Sequence, residues 1–204
     1  TTCAACPTGR FTRVHMPDRF NHTNYLDDCL LPPVITSLFP NSSSTLGGAT
    51  TSFYGLRFGD EYATINITTN SIRWGEMIRH NATWVTAVSP AGTGGHYPVQ
   101  IVVDGVASTT NDVYFSYYRP NVSNIQYPPL KGGTMEIIGT GFGHDSGIVK
   151  VQVYKRLGEC AENCVILNVA STWLICQYGF PAARGDSRAV IVVVNGQASI
   201  PMGY

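Results

Sequence analysis

Short runs of β-branched and aromatic residues alternate along the chain with glycine, proline, asparagine and serine, which are typical of turns. No apolar repeat with a 3.6-residue period continues for three helical turns. The clearest predicted strands are Val99–Val103 and Ala189–Val194. Each runs into a dipeptide suited to a two-residue hairpin turn, Asp104-Gly105 and Asn195-Gly196. Many short strands at regular spacing predict an all-β chain built from β-sandwiches.

The two halves of the chain repeat one another. The stretch Gly55–Gly59 (Gly-Leu-Arg-Phe-Gly) corresponds to Gly139–Gly143 (Gly-Thr-Gly-Phe-Gly), and Trp84 corresponds to Trp173. The offset between matching positions drifts along the repeat, as insertions in loops would produce. The predicted organisation is an N-terminal extension, a first domain and a second domain, at residues 1–31, 32–118 and 119–204.

A shared order of motifs in both halves resembles a known family. A proline-led first strand, a Gly-Gly pair, Gly-x-x-Phe-Gly and a late valine-rich hairpin are similar to the IPT/TIG branch of immunoglobulin-like folds. The resemblance covers residues 32 to 204, once per domain. It implies two tandem immunoglobulin-like β-sandwiches after a cysteine-containing extension. It also implies the uses of this family, in surface receptors, adhesion proteins, accessory modules of carbohydrate-active enzymes and some transcription factors.

Six cysteines in 204 residues predict an oxidising compartment. They are Cys3, Cys6, Cys29, Cys160, Cys164 and Cys176. The family resemblance implies a bridge between Cys164 and Cys176. If all six are oxidised, an odd number of bridges must join the N-terminal three to the C-terminal three, within one chain or between chains, with Cys160 as the favoured partner. The alternatives are free thiols or a Cys160–Cys164 bridge. A zinc site at Cys3 and Cys6 is disfavoured, because the second pair of ligands would have to be Cys160 and Cys164, and Cys164 is expected to bond to Cys176.

Five Asn-x-Ser/Thr sequons without proline predict N-glycosylation. They lie at Asn21, Asn41, Asn66, Asn81 and Asn121. Together with the cysteines, they predict a secreted or cell-surface glycoprotein, although coincidence in a chain rich in serine and threonine is the alternative. All five precede the body of the second domain, which is therefore expected to be bare of glycans.

The chain has 13 basic and 13 acidic residues, so that only 13% of it is charged, against about 25% in a typical soluble domain. A neutral chain disfavours nucleic acid as a partner. No apolar run is long enough to cross a bilayer, so no membrane insertion by these residues is expected. Covalent N-glycans would supply the hydrated surface that charged side chains do not.

The two predicted domains differ at their ends. In the first, Tyr114–Tyr118 follows the hairpin and is predicted to be the closing strand, whereas the second reaches Tyr204 where that strand would begin. The second domain is therefore expected to lack its last strand, which leaves an open sheet edge. The extension contains a strand-like stretch that could fill it. The residues of this predicted assembly strand are Phe11, Thr12, Val14 and Met16.

The first functional hypothesis is head-to-tail assembly. If the extension of one subunit completes the second domain of the next, the heterologous contact builds a filament whose partner is another copy of the chain. The second hypothesis is an ectodomain fragment of an adhesion or recognition receptor whose own next residues supply the strand. The extension could also be a leader folded back by disulfides. The third hypothesis is a carbohydrate-binding module, with Trp74, Tyr117 and Tyr118 as exposed aromatic residues.

The sequence contains no pattern typical of catalysis. The histidines are scattered without ligand spacing, and no nucleophile motif or phosphate-binding loop is present. The adjacent acids Asp27-Asp28 and Asp60-Glu61 are interpreted as loop charges. We therefore expect no enzyme activity, no metal site and no cofactor.

Overall fold

The computed structural model describes residues 11–12, 29–60, 62–109, 112–127, 133–154, 162–178 and 188–203. Within these ranges, the chain forms β-strands and one short 3-10 helix, Ser146–Ile148. In chain order the strands are β1 Phe11–Thr12, β2 Cys29–Leu30, β3 Val34–Phe39, β4 Ser42–Ser43, β5 Thr50–Leu56, β6 Ile65–Thr69, β7 Ile72–Arg73, β8 Met77–Asn81, β9 Trp84–Val88, β10 Tyr97–Val103, β11 Val106–Ala107, β12 Tyr114–Tyr117, β13 Asn121–Gln126, β14 Gly133–Thr140, β15 Val149–Tyr154, β16 Glu162–Val169, β17 Trp173–Tyr178, β18 Ala189–Val194, β19 Gln197–Ala198 and β20 Met202–Gly203. No helix in the described part of the chain is long and apolar enough to cross a bilayer.

The first sandwich has two facing sheets. One has the strand order β3-β5-β9-β8, and the other has the order β4-β12-β10-β6-β7, with β11 added to β10. Alternate residues of β5 and β6 are buried, as expected for strands with one face on a core. Trp74 joins the two sheets, because its ring packs edge-to-face against Phe53 of β5 at 4.9 Å and Phe115 of β12 at 4.8 Å between centroids. Its indole N–H donates to Thr69 Oγ1 at 2.8 Å, so the buried ring keeps a polar partner.

The second sandwich follows one continuous sheet path, β13-β14-β17-β16-β15-β18-β19, with β20 also paired to β18. Strand β16 makes this continuity possible, because its first residues pair with β15 and its later residues pair with β17. The core of this sandwich consists largely of valine, isoleucine and leucine with Phe142 and Tyr178. β-Branched residues dominate because they fit a pleated surface that is buried on one face.

The observed fold confirms the all-β prediction and the tandem sandwiches after an N-terminal extension. The predicted hairpins are present, since β10 pairs with β11 and β18 pairs with β19 around Asp104-Gly105 and Asn195-Gly196. All four turn residues have positive φ, as a type I′ turn requires. The contacts within the chain define two compact units. The first contains the residues up to 41, 48–90 and 96–115, and the second contains 42–47, 91–95 and 116–204.

The repeated Gly-x-x-Phe-Gly motif has a steric cause in both sandwiches. A Cβ on Gly55 would collide with the carbonyl oxygen of Val34 and the ring of Phe58, and a Cβ on Gly139 would collide with the carbonyl oxygen of Asn121 and the ring of Phe142. Both phenylalanines are fully buried. Glycine is therefore needed where the first strand of each sandwich and the core ring approach the backbone together.

Replacing Gly139 with alanine is expected to lower the free energy of unfolding by about 2–3 kcal/mol, because a backbone carbonyl cannot move aside as a flexible side chain can. Gly75→Ala is the matched control, since the nearest atom to an added Cβ there is 3.4 Å away and Gly75 is exposed. The control should change stability by no more than about 0.5 kcal/mol. Urea unfolding compares the two, and equal midpoints would contradict the steric interpretation.

Candidate functional surfaces

The last strand of the first sandwich is complete. Strand β12 pairs with β10 through Tyr97 and Pro98, and its Ser116 and Tyr117 then pair in parallel with β4. Phe115 and Tyr117 point inward, with 0% and 3% of their surface exposed. This strand therefore closes the sheet and adds two aromatic side chains to the core.

The corresponding strand of the second sandwich begins but is short within the described residues. Ser199 approaches β18 as Ser108 approaches β10: its N–H donates to the carbonyl of Val192 at 2.8 Å, and its Oγ accepts from the N–H of Val192 at 3.0 Å. Met202 and Gly203 then pair with Val190 and Ala189. The sequence predicted that the chain would stop before this strand, whereas the structure places these two residues in it. The described residues that follow Ser199 supply no counterpart to Phe115 and Tyr117.

A buried polar cluster lies where this short strand ends. Arg188 immediately precedes β18 and is buried, and its Nη1 donates to the hydroxyl of Tyr178 at 2.7 Å. That hydroxyl donates in turn to Glu162 Oε2 at 2.6 Å, and the guanidinium lies 5.4 Å from the centre of the tyrosine ring. A buried charge is tolerated only when it is bonded in this way. The cluster therefore fixes the backbone of β16, β17 and β18 at the short end of the sheet.

The predicted assembly strand is partly within the described residues. Phe11 and Thr12 form β1, which pairs antiparallel with Leu30 and Cys29 of β2. This two-stranded sheet is separate from the other three sheets. Val14 and Met16 lie outside the described residues. The described residues of the extension, β1 and β2, therefore pair with each other and with neither sandwich.

A disulfide joins Cys164 of β16 to Cys176 of β17, with the Cα atoms 5.6 Å apart. Both cysteines are buried in the core of the second sandwich. The first sandwich has Ala87 where the repeat places Cys176, and its core is filled by Trp74. Of the remaining cysteines, Cys29 lies in β2, whereas Cys3, Cys6 and Cys160 lie outside the described residues.

The sequons lie in four different local settings. Asn41 and Asn121 are exposed, at a bend after β3 and at the start of β13. Asn66 lies within β6 and is half-buried, and its Oδ1 is buried without a hydrogen-bond partner. Asn81 ends β8 and is exposed. Asn21 lies outside the described residues.

The aromatic residues proposed for sugar stacking need correction. Trp74 and Tyr117 are core residues with 2% and 3% exposure, and of the three only Tyr118 is exposed. The structure instead presents a pair of rings that the sequence did not reveal. Tyr54 of β5 and Trp84 of β9 pair across the sheet, with ring centroids 6.4 Å apart and planes within 4° of each other. Only the β5–β9 register brings them together, so alternation within each strand could not have indicated the pair.

No group of three or more histidine, cysteine, aspartate or glutamate side chains could hold a metal ion among the residues that the structure describes. The described residues also include the two-residue strand β20, the separate strand β1, the exposed sequons and the Tyr54–Trp84 pair. Strand edges and exposed apolar rings are features typical of assembly and recognition surfaces.

Comparisons with known proteins agree with this fold. Residues 33–117 match the model of the IPT/TIG domain. None of the curated proteins compared with the chain matches it. Among solved structures, the surface glycan-binding protein PbSGBP-B from Prevotella bryantii is 11% identical with a TM-score of 0.53, over 83% of this chain and 41% of that one.

Two further solved structures are similar to the chain. The full extracellular region of plexin A4 is 15% identical with a TM-score of 0.40, over 82% of this chain and 15% of that one. A two-domain fibronectin type III segment from chicken tenascin is 12% identical with a TM-score of 0.46, over 85% of this chain and 97% of that one. The chain thus spans well under half the length of plexin A4 and of the glycan-binding protein. At these identities, the glycan-binding protein is informative about the fold alone.

Proposed function

Residues 33–117 belong to the IPT/TIG family of immunoglobulin-like domains, and on this premise we propose that the chain is an extracellular structural glycoprotein that assembles head to tail. In this proposal, the N-terminal extension of one subunit donates a strand to the second sandwich of the next. The immunoglobulin-like fold and the Cys164–Cys176 disulfide support an extracellular or secreted location.

One observation carries the proposal: the contrast between the two last strands. Strand β12 has four residues and covers the core with Phe115 and Tyr117, whereas the part of β20 that the structure describes has two residues, Met202 and Gly203. In the first sandwich, the residues after Phe115 leave β10 and pair with β4. A donated strand that continued in the same way beyond Gly203 would cover apolar core, each buried side chain contributing about 1.5–3 kcal/mol. This is the physical basis of β-strand addition.

The N-terminal extension is the proposed donor. Its strand β1 belongs to a small sheet of its own and is paired with neither sandwich, so its use elsewhere removes nothing from them. Exchanging the β1–β2 pairing for a longer pairing with the next subunit gains main-chain hydrogen bonds and buried apolar area. Because donor and acceptor are different surfaces, the contact does not close on itself and propagates into a filament.

The other proposed partners follow from the surface. N-Glycans on the sequons would hydrate a charge-poor body, and the second sandwich, whose one sequon is Asn121 at the start of β13, would otherwise remain bare for subunit contacts. The chain's neutral charge supports neither a nucleic-acid partner nor electrostatic steering of one subunit toward the next. We propose no catalytic activity, in keeping with immunoglobulin-like domains generally, which are typically not enzymes.

Electron microscopy and gel analysis of the natural secreted material test the proposal. We expect periodic filaments and, on a non-reducing gel, a ladder of covalent oligomers that collapses to one band with reductant. Intact non-reduced material that is entirely monomeric would overturn assembly. Mass spectrometry of the mature C-terminus separates the receptor alternative, because a chain that continues with its own closing strand needs no donor.

A further inference from the structure

Three residues form a line across the outer face of the first sandwich. Asn81 of β8 pairs with Trp84 of β9, and Trp84 pairs with Tyr54 of β5. Directly paired residues of antiparallel strands project to the same face, with Cβ atoms about 4.5–5.5 Å apart. A register shift between Arg79 and Asn81 brings Asn81, and not its predecessor, opposite the tryptophan.

The side-chain amide of Asn81 is held in one orientation. Its Oδ1 accepts hydrogen bonds from the backbone N–H of Thr83 at 2.8 Å and from Thr83 Oγ1 at 2.7 Å. Thr83 is itself fixed, because its carbonyl accepts from the N–H of Gly55 at 2.9 Å. With Oδ1 occupied by the turn, the Nδ2 atom on the opposite side of the planar amide faces away from it. Nδ2 is the atom to which an N-glycan is attached.

The neighbouring rings of Tyr54 and Trp84 lie parallel, with their centroids 6.4 Å apart. The planes of Tyr54 and Trp84 differ by 4°, and 43% of the Tyr54 surface is exposed. Ile78 on the adjacent strand is also exposed, so the surface continues on the glycan side of the sheet.

We propose that the first sugars of an N-glycan on Asn81 lie back over Trp84 and Tyr54. The apolar C–H face and acetyl methyl group of N-acetylglucosamine contact the rings, while the hydroxyl groups remain in water. The glycan then covers the exposed apolar surface of this sheet and stabilises the β5–β9–β8 pairing. This inference rests on the glycoprotein part of the proposed function and is independent of filament assembly.

A second sequon provides the matched control. Asn121 is also exposed on a strand, but it pairs with Thr140 and not with an aromatic residue. A glycan there has no ring beneath it in the register. Asn121→Gln therefore removes a glycan of the same chemistry without removing the proposed ring contact.

The test uses the full chain expressed in a glycosylating eukaryotic host. Glycopeptide mass spectrometry should find Asn81 occupied, and nuclear Overhauser contacts should connect the first acetyl methyl group to the rings of Trp84 and Tyr54. Asn81→Gln should lower the melting temperature of the first sandwich by about 4 °C, and Asn121→Gln should leave it within about 1 °C. In a Tyr54→Thr background, the loss caused by Asn81→Gln should shrink by half or more.

Three outcomes would overturn the inference: an unoccupied Asn81, an occupied Asn81 without contacts to either ring, or an undiminished loss in the Tyr54→Thr background. The nuclear Overhauser contacts are measured on the unmodified sequence, so they test the inference even if Tyr54→Thr folds poorly. If filaments form but the Asn81 glycan does not contact the rings, this inference alone is rejected. If the glycan contacts the rings but the protein remains monomeric, the assembly proposal alone is rejected.

Discussion

Replacing Val14 with aspartate is expected to abolish head-to-tail assembly while leaving both sandwiches folded. Val14 lies outside the described residues; in an extended donor strand it would share a face with Thr12 and Met16. If that face covers the core of the next subunit, the substitution buries a carboxylate without a partner, which costs several kcal/mol. A loss of 3 kcal/mol weakens each contact by more than about 100-fold. Light scattering and electron microscopy at fixed protein concentration measure the effect.

Arg13→Asp is the control for this prediction, because residue 13 faces the opposite side of an extended strand. It makes a larger change in charge and should leave assembly largely intact. Filaments of normal length from the Val14 variant would show that this face of the extension is not buried in the contact. Loss of filaments with both variants would indicate charge repulsion, which predicts recovery at high salt.

Removing the Cys164–Cys176 disulfide is expected to destabilise the second sandwich by about 3 kcal/mol, as the cross-linking of a loop of this length implies. The bridge closes a separation of 12 residues between β16 and β17. Because both cysteines are buried, the variant Cys164→Ala with Cys176→Val keeps most of the core volume. The measured loss then reports the missing cross-link and not a cavity.

Differential scanning calorimetry tests this prediction with an internal control. The first sandwich has no cysteine among its residues 32–118, so its transition should not move, while that of the second should fall by about 12–24 °C. A shift of less than about 3 °C would show that core packing alone holds β16 to β17. A shift of both transitions together would show that the sandwiches unfold as one cooperative unit.

Much of the fold could be predicted from local patterns. The Asp104-Gly105 and Asn195-Gly196 dipeptides marked hairpins because few residues accept positive φ at both turn positions. Phe58 and Phe142 could be assigned to the cores because the glycines around them recur in both halves. These features depend on a few neighbouring residues, which a single sequence displays fully.

The candidate surfaces depend on cross-strand register and on packing between sheets, and there the sequence was less informative. Trp74 lies after a short strand that does not alternate, so nothing local showed that it packs between Phe53 and Phe115. Tyr117 could have been assigned to the core, since it shares a face with Phe115 two residues earlier. The start of β20 was missed because the loop between Ser199 and Met202 is shorter than its counterpart in the first sandwich. The pairing of Asn81, Trp84 and Tyr54 required the register of three strands.

The Arg188–Tyr178–Glu162 cluster also affects which extended chains can pair with the sheet next to β20. An apolar strand end that lacks its neighbour invites promiscuous pairing with any extended chain, including amyloid-like stacking of identical segments. A cationic group held inside the sheet end penalises such pairing, because a wrongly registered apolar strand would separate it from its hydrogen-bond partners. If subunits assemble as proposed, the cluster would therefore restrict this end of the sheet to a strand of the correct register.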